Sequence, residues 1–316
     1  MASEEQGVAL PAGASIGWIG AGRMGLAMCA RLLGAGARVS VYNRTRSKAE
    51  PLAALGAQLV GKPSDLGSCD MVFSMMAGPE SFLAVMLGEG GLLTGDGPFP
   101  GQVIDCSTIS AEASEEVRAA GAKLGVPLLD APVSGNAKVV EAGKLAIVCS
   151  GTRAAFDAAA PYLKAIGPAV TYAGEGNTAR IVKICHNVHL TVVIQSLVEI
   201  LTLAEKAGVP RHALMEFINH SVMGSMFTGY KTPALVKLDY TPTFTAPLLR
   251  KDMDLGLSAA RALEVPMPLA AQTREILQAL IGNGFTTCDF AALLELQARA
   301  SKLDLKPEDV EVGTGL

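Results

Sequence analysis

The chain has 316 residues, half of them hydrophobic and 18% charged, with a formal net charge of -4. That length suits two domains better than one, and that composition buries a large core and excludes a disordered chain. The mild acidity leaves no basic footprint for nucleic acid or for an anionic membrane surface.

Residues 1–14 are acidic and lack a basic segment followed by an apolar one, so they are expected to be a flexible N-terminus and not a secretion signal. From Ser15 to about Ala173, short β-branched runs alternate with Ala-rich stretches of helical spacing. Strands are predicted at Ser15–Gly20, Ala37–Asn43, Asp70–Met76, Gln102–Cys106, Pro127–Asp130, Leu145–Ser150 and Ala169–Ala173. Helices are predicted between them, as at Met24–Leu33, Ser47–Leu55 and Ala111–Leu124, while Gly88–Gly101 reads as a Gly/Pro-rich loop. Such alternation implies the α/β class, with a Rossmann-type, doubly wound parallel sheet over 15–174.

After Gly176 the pattern changes. Residues 177–206 are proline-free and mostly apolar with periodic polar interruptions, which predicts one long helix buried between domains or between subunits. Further helices are predicted at Arg211–Ile218, Leu249–Leu263, Leu269–Ile281 and Phe290–Ala300. Residues 175–303 are therefore expected to form an all-helical domain for substrate binding and oligomerisation, followed by a loose polar tail over 304–316. No run of eighteen apolar residues occurs, and Cys29, Cys69, Cys106, Cys149, Cys185 and Cys288 are scattered among apolar or small neighbours. Reduced, mostly buried thiols in a soluble cytoplasmic protein are the expectation.

The first predicted strand runs into Gly20-Ala21-Gly22-Arg23-Met24-Gly25 and then into a helix. Gly20 permits a tight turn, Gly22 admits a pyrophosphate to the backbone, and Gly25 lets helix and strand pack closely, with the helix N-terminus facing the anion. At the end of the second strand an NAD enzyme places Asp or Glu for the ribose hydroxyls. Here stand Asn43, Arg44, Thr45 and Arg46, donors and positive charge that favour NADP, with NADPH preferred over NADH. Lys183 and Asn187 lie at i and i+4 on one face of the long helix. A lysine sunk in a cleft loses the hydration that favours its ammonium form, so it can trade a proton with a substrate oxygen. Asn187 is placed to orient that oxygen or hold the lysine. His189, His212 and His220 show no metal-ligand spacing, and no metal is expected.

Taken with Asp105-Cys106-Ser107-Thr108-Ile109, Asp130-Ala131-Pro132-Val133-Ser134-Gly135, Lys183-Ile184-Cys185-His186-Asn187 and Leu249-Arg250-Lys251-Asp252-Met253-Asp254-Leu255, the glycine loop completes a set in a familiar order. From Ser15 to about Leu303 the chain resembles the β-hydroxyacid dehydrogenases. That resemblance implies hydride transfer between a nicotinamide and a small carboxylate-bearing 3-hydroxy acid or its semialdehyde, with Lys183 as acid/base, in a homodimer or homotetramer. It implies substrate contacts from Thr108, Ser134, Gly135, Asn136 and His186. For the cofactor it implies Met75, Met76, Thr108 and Lys251 beside the glycine loop, with Asp252 fixing Lys251 or capping a helix.

The sequence departs from the family's pattern where Asn136 and Val139 replace glycines of the substrate loop, and where Asn177 and Ala179 replace two before the lysine. Asn136 brings an amide to the expected carboxylate site, and Asn177 suits a helix N-cap. Lys138, Arg180 and His186 open the way to a larger or more anionic substrate. Two alternatives accompany this reading: a related reductase acting on imines or a larger substrate, and a non-catalytic NADP-binding sensor. Imine reductases of this architecture generally lack the lysine, and a sensor needs the nucleotide site alone, so Lys183 with Asn187 argues against both.

Overall fold

The computed structural model describes residues 10, 11 and 13–315; of the stretch 1–14 expected to be flexible, 1–9 and 12 lie outside the described residues. Contacts divide the chain into two compact units, Met1–Lys183 and Ile184–Leu316, so the division falls inside the long helix, beyond the expected boundary at 174/175.

Among the described residues the first unit holds nine strands: β1 Ser15–Ile19, β2 Arg38–Tyr42, β3 Gln58–Leu59, β4 Met71–Ser74, β5 Val103–Asp105, β6 Leu128–Asp130, β7 Val133–Ser134, β8 Ala146–Cys149 and β9 Ala169–Tyr172. Between and after them run α1 Arg23–Gly34, α2 Glu50–Ala54, α3 Pro79–Leu87, α4 Ala111–Lys123, α5 Ala137–Glu141, α6 Arg153–Ile166 and the start of α7 Thr178–Lys206. Six parallel strands form one sheet in the order β3-β2-β1-β4-β5-β6. The order reverses between β1 and β4, which opens a crevice beyond their C-terminal ends. Alternate residues feed opposite faces: Trp18, Phe73, Ile104 and Leu129 enter one buried cluster, and Ile19, Val72, Val103 and Leu128 the other. A sheet covered on both faces is what near-continuous apolar strands require. Trp18 is fully buried, stacked on Phe73 with ring centroids 5.7 Å apart.

The strands at Ala146–Cys149 and Ala169–Tyr172 do not extend the parallel sheet; with β7 they form a separate three-stranded sheet, in which β7 runs antiparallel to β8. Strands β3 and β7 went unpredicted because two residues carry no periodicity. The predicted helix at Ser47–Leu55 splits into a 3-10 turn at Arg46–Lys48 and the short α2, since Pro51 lacks an N–H and sits best in a helix's first turn.

The second unit is helical: the rest of α7, then α8 Arg211–His220, α9 Met226–Lys237, α10 Ala246–Ala262, α11 Pro268–Gly282 and α12 Leu293–Ala300. By length and composition α7 could cross a membrane, with 29 residues and a mean hydropathy of 1.5 over its most apolar window. It is packed as a core helix: Ile184, Val188, Ile194, Leu197, Val198 and Leu201 are buried in the cluster of this unit. The tail is not loose as expected. Leu305, Val310 and Val312 pack on the core, and the Glu308 carboxylate accepts from the backbone N–H groups of Arg211 (2.7 Å) and His212 (3.0 Å).

Of the six cysteines, Cys29, Cys69, Cys106 and Cys149 are buried, as expected, and burial pushes the Cys29 thiol up to about 12. Cys185 is exposed, against the expectation its apolar neighbours raised, because Ile181 and Val182 also lie on the exposed side of α7.

Candidate active site

The glycine loop has the geometry its spacing predicts. Gly20 adopts φ +99°, and a Cβ there would stand 2.4 Å from the Met75 carbonyl oxygen, a distance no side chain tolerates. At Gly25 a Cβ would meet the Gly20 carbonyl oxygen at 2.0 Å, so this residue lets α1 close onto the turn. Gly22 differs: no atom stands within 4 Å of its absent Cβ, and no side chain caps the helix it opens. Nothing in the protein demands a glycine there; the space over the α1 N-terminus is open. With no acidic residue in the first turn of α1, exposed N–H groups and the positive end of the helix remain for an anion. That fits a dinucleotide pyrophosphate.

Asn43 is engaged with backbone on both sides. Its Oδ1 accepts from Ala21 N at 2.8 Å and its Nδ2 donates to Thr45 O at 2.7 Å, so it braces the turn from the end of β2. Arg44 and Thr45 beyond it are exposed, as is Arg23 at the head of α1, whereas Met24 is half-buried and packs on the core. Met75 and Met76 are half-buried, each packed on a different core cluster, and the Met75 carbonyl and the Met76 sulfur both stand against Gly20.

Thr108, half-buried, follows β5, and Ser134, half-buried, ends β7. Gly135 adopts φ +141°, with Val139 and Leu145 side chains within 3 Å of any Cβ added there. Asn136 does not offer its carbonyl oxygen to a substrate: Oδ1 accepts from Val139 N at 3.1 Å and caps α5, and the residue is buried. Lys138 is exposed.

Lys183 is buried, at 9% exposure, in the second turn of α7, while His186 is exposed. Asn187 is buried in the second unit with both ends of its amide engaged: Nδ2 donates to Asp252 Oδ2 at 2.5 Å, and Oδ1 lies 2.9 Å from His186 Nδ1. Asp252 Oδ1 in turn stands 3.1 Å from Lys251 Nζ. Asp252 thus links α10 to Asn187 on α7. α10 comes close enough to α7 for this because Gly256, one turn on, presents no Cβ; one would lie 2.4 Å from Val188 Cγ2.

Two family models divide the chain at residue 174: the NAD binding domain of 6-phosphogluconate dehydrogenase matches residues 15–174, and the NAD-binding domain of NADP-dependent 3-hydroxyisobutyrate dehydrogenase matches 174–297. Glyoxylate/succinic semialdehyde reductase 2, chloroplastic, of Arabidopsis thaliana is 32% identical over 290 residues, covering 91% of this chain and 81% of that protein. The chain belongs to the β-hydroxyacid dehydrogenase family. Among solved structures of the family fold, 3-hydroxyisobutyrate dehydrogenase from Salmonella typhimurium matches with a TM-score of 0.80 and 26% identity, over 90% of this chain and all of that one. Psf3 in complex with NADP+ and 2-OPP matches with a TM-score of 0.79 and 26% identity, over 89% of this chain and 99% of that one. As a β-hydroxyacid dehydrogenase the protein is a nicotinamide-dependent oxidoreductase of small hydroxy acids.

One set of residues escaped the sequence reading. Arg180, expected to widen the choice of anionic substrates, is buried at 2% exposure, and both of its Nη atoms are engaged within this dehydrogenase. Its Nη2 donates to Asp105 Oδ2 (2.8 Å) and Asp130 Oδ1 (2.7 Å), and its Nη1 to Ser107 O (3.0 Å). Asp105 Oδ1 also accepts from the Ser74 and Ser107 hydroxyls, both at 2.6 Å, and the Ser107 hydroxyl oxygen accepts from Met76 N at 2.8 Å. Asp130 is held by Ser114 (2.8 Å) and by Arg118 (2.6 Å). Burial pushes the Asp130 carboxyl above its ordinary range, with Arg180 and Arg118 pulling the other way. Asn177 stands at the N-cap position of α7, but its side chain turns to Arg118 (3.3 Å); the Ser150 hydroxyl takes Ala179 N instead, at 3.0 Å. A signal did exist. Arg180, Lys183, Asn187, Thr191 and Gln195, all buried, recur three or four residues apart along an otherwise apolar helix.

Proposed function

We propose that this enzyme is NADP-dependent and moves a hydride between the nicotinamide and a small 3-hydroxy acid or its semialdehyde, with Lys183 as general acid and base. The observation that carries the reading is Lys183 itself: a lysine held at 9% exposure in a buried polar series with Arg180, Asn187, Thr191 and Gln195 along an otherwise apolar helix. Buried titratable groups set among other polar side chains concentrate at functional sites.

A bound nicotinamide nucleotide supplies the hydride or receives it. In reduction, Lys183 Nζ donates a proton to the substrate's carbonyl oxygen as that oxygen gains charge; in oxidation it takes the proton back from the hydroxyl. Asn187, clamped between Asp252 and His186, is a rigid strut one turn along the helix and needs no reorganisation during the reaction. The Ser134 hydroxyl and the N–H groups around Gly135 suit a substrate carboxylate, with Thr108 beside it. Arg44 and Thr45, exposed after β2 with no carboxylate among residues 43–46, suit a 2′-phosphate. Support for the substrate class comes from the names of the Arabidopsis and Salmonella proteins, and for NADP from the ligand of Psf3.

A coupled screen tests the reading. NADPH and NADH oxidation would be followed with glyoxylate, succinic semialdehyde, tartronate semialdehyde and methylmalonate semialdehyde, and the reverse with 3-hydroxy acids. Turnover of at least one acid with a clear preference for NADPH is expected. NADPH binding without turnover of any carbonyl acid would favour a sensor, and preference for NADH would remove the NADP assignment.

A further inference from the structure

Three segments that carry candidate site residues leave the sheet, and a fourth such residue lies on α7, around the cluster of one guanidinium. Met76 follows β4, Thr108 follows β5, Ser134 follows β6 by four residues, and Lys183 lies three residues beyond Arg180 on α7. Each is tied to the same buried cluster. Met76 N donates to the Ser107 hydroxyl, which donates to Asp105; the carbonyl of Ser107, one residue before Thr108, accepts directly from Arg180; Asp130 ends the strand before the Ser134 loop. Residues three apart on a helix share a face, so the turn that orients Arg180 also orients Lys183.

We propose that Arg180 is a positioning residue that sets the register of Lys183 against the Thr108 and Ser134 segments. It acts through three fixed donors rather than by touching substrate: its two bonds to carboxylates and one to a main-chain carbonyl leave only Nε without an acceptor among the described residues. A planar guanidinium can bridge Asp105 and Asp130 while reaching Ser107; a lysine ammonium is a compact charge that cannot keep that planar fork. The Ser150 hydroxyl, donating to Gly176 O (2.8 Å) and accepting from Ala179 N, secures the same turn from the β8 side, so α7 starts from a built platform. The network is buried, and its bonds are charge-assisted and therefore stiff. Displacing reacting groups by about 1 Å costs on the order of a hundredfold in rate.

This inference rests on Lys183 being the acid/base, and its test separates the two. Arg180→Met leaves a buried carboxylate without its cation and endangers folding, so two further variants carry the weight. Asp105→Asn with Arg180→Met keeps the buried charge balanced, because Arg118 still pairs with Asp130; Arg180→Lys keeps the charge but loses the three-point grip. Both are expected to recover most of the melting temperature lost in Arg180→Met while kcat stays about tenfold to a hundredfold down, with the NADPH dissociation constant within about threefold by fluorescence titration. Return of kcat together with thermal stability in either variant would show the cluster to be a fold element only and overturn the proposal. Lys183→Ala is measured beside them: its retaining turnover defeats the acid/base reading, whereas its inactivity alongside fully active Arg180 variants defeats the positioning role alone.

Discussion

Arg44 is the first cation past the brace that Asn43 provides, and it projects from the end of β2 into solvent. A guanidinium so placed makes charge-assisted bonds to a phosphate but has little to offer a ribose hydroxyl. Arg44→Ala should therefore raise KM for NADPH by roughly tenfold or more, the loss of about 1.5–3 kcal/mol from a charged hydrogen bond, and leave KM for NADH nearly unchanged. Steady-state kinetics with both nucleotides decides it; equal effects on the two would remove Arg44 from the phosphate site. Asn43 and Asn136 also shape their own turns. Both spend side-chain hydrogen bonds on local backbone, Asn43 on Ala21 and Thr45 and Asn136 on the start of α5. Asn does this readily, because its amide competes for nearby main-chain groups.

At the scale of elements, the pairing of α7 with α10 matters most, since it brings Asp252 to Asn187. Gly256 is the point of closest approach, and Val188 opposite it is β-branched and stiff on a helix. Gly256→Ala gains about 1 kcal/mol of helix propensity but must part the helices, an overpacking cost of about 1–3 kcal/mol. The cost should win: a lower melting temperature is expected, with a fall in kcat as Asp252 leaves Asn187. A rise in melting temperature would mean that the contact has slack. Elements also mark what was readable in the sequence. The glycine loop, the seven longer strands and the long helix follow from short-range pattern, because backbone sterics and periodicity act locally. The Arg180 cluster joins residues 74, 105, 107, 130 and 180, whose meeting depends on strand order and not on spacing. Arg180 therefore read as a cation for a larger or more anionic substrate. For the same reason the separate sheet of β7, β8 and β9 could not be told from an extension of the parallel one.

Over the whole molecule, each unit has its own buried core, and the last residues of the chain stabilise the helical one. Burial works against the Glu308 carboxylate, but the N–H and ring of His212, with the N–H and guanidinium of Arg211, outweigh it and hold the group below its ordinary 4.5. A carboxyl lowered in the folded state adds stability above that ordinary value and loses it as the pH falls through the folded value. The melting temperature of Glu308→Gln should thus lie below that of the unaltered protein at neutral pH, and the gap should close on acidification below about pH 4.5; a gap that ignores pH would mean the carboxylate charge contributes nothing. The claim on which the enzyme's chemistry turns is the proton at Lys183. Single-turnover oxidation of bound NADPH by Lys183→Ala, beside a fluorescence titration of the nucleotide, tests it most directly. A rate lower by about a hundredfold to ten-thousandfold with NADPH affinity preserved is the predicted result, and a rate near that of the unaltered protein would contradict it.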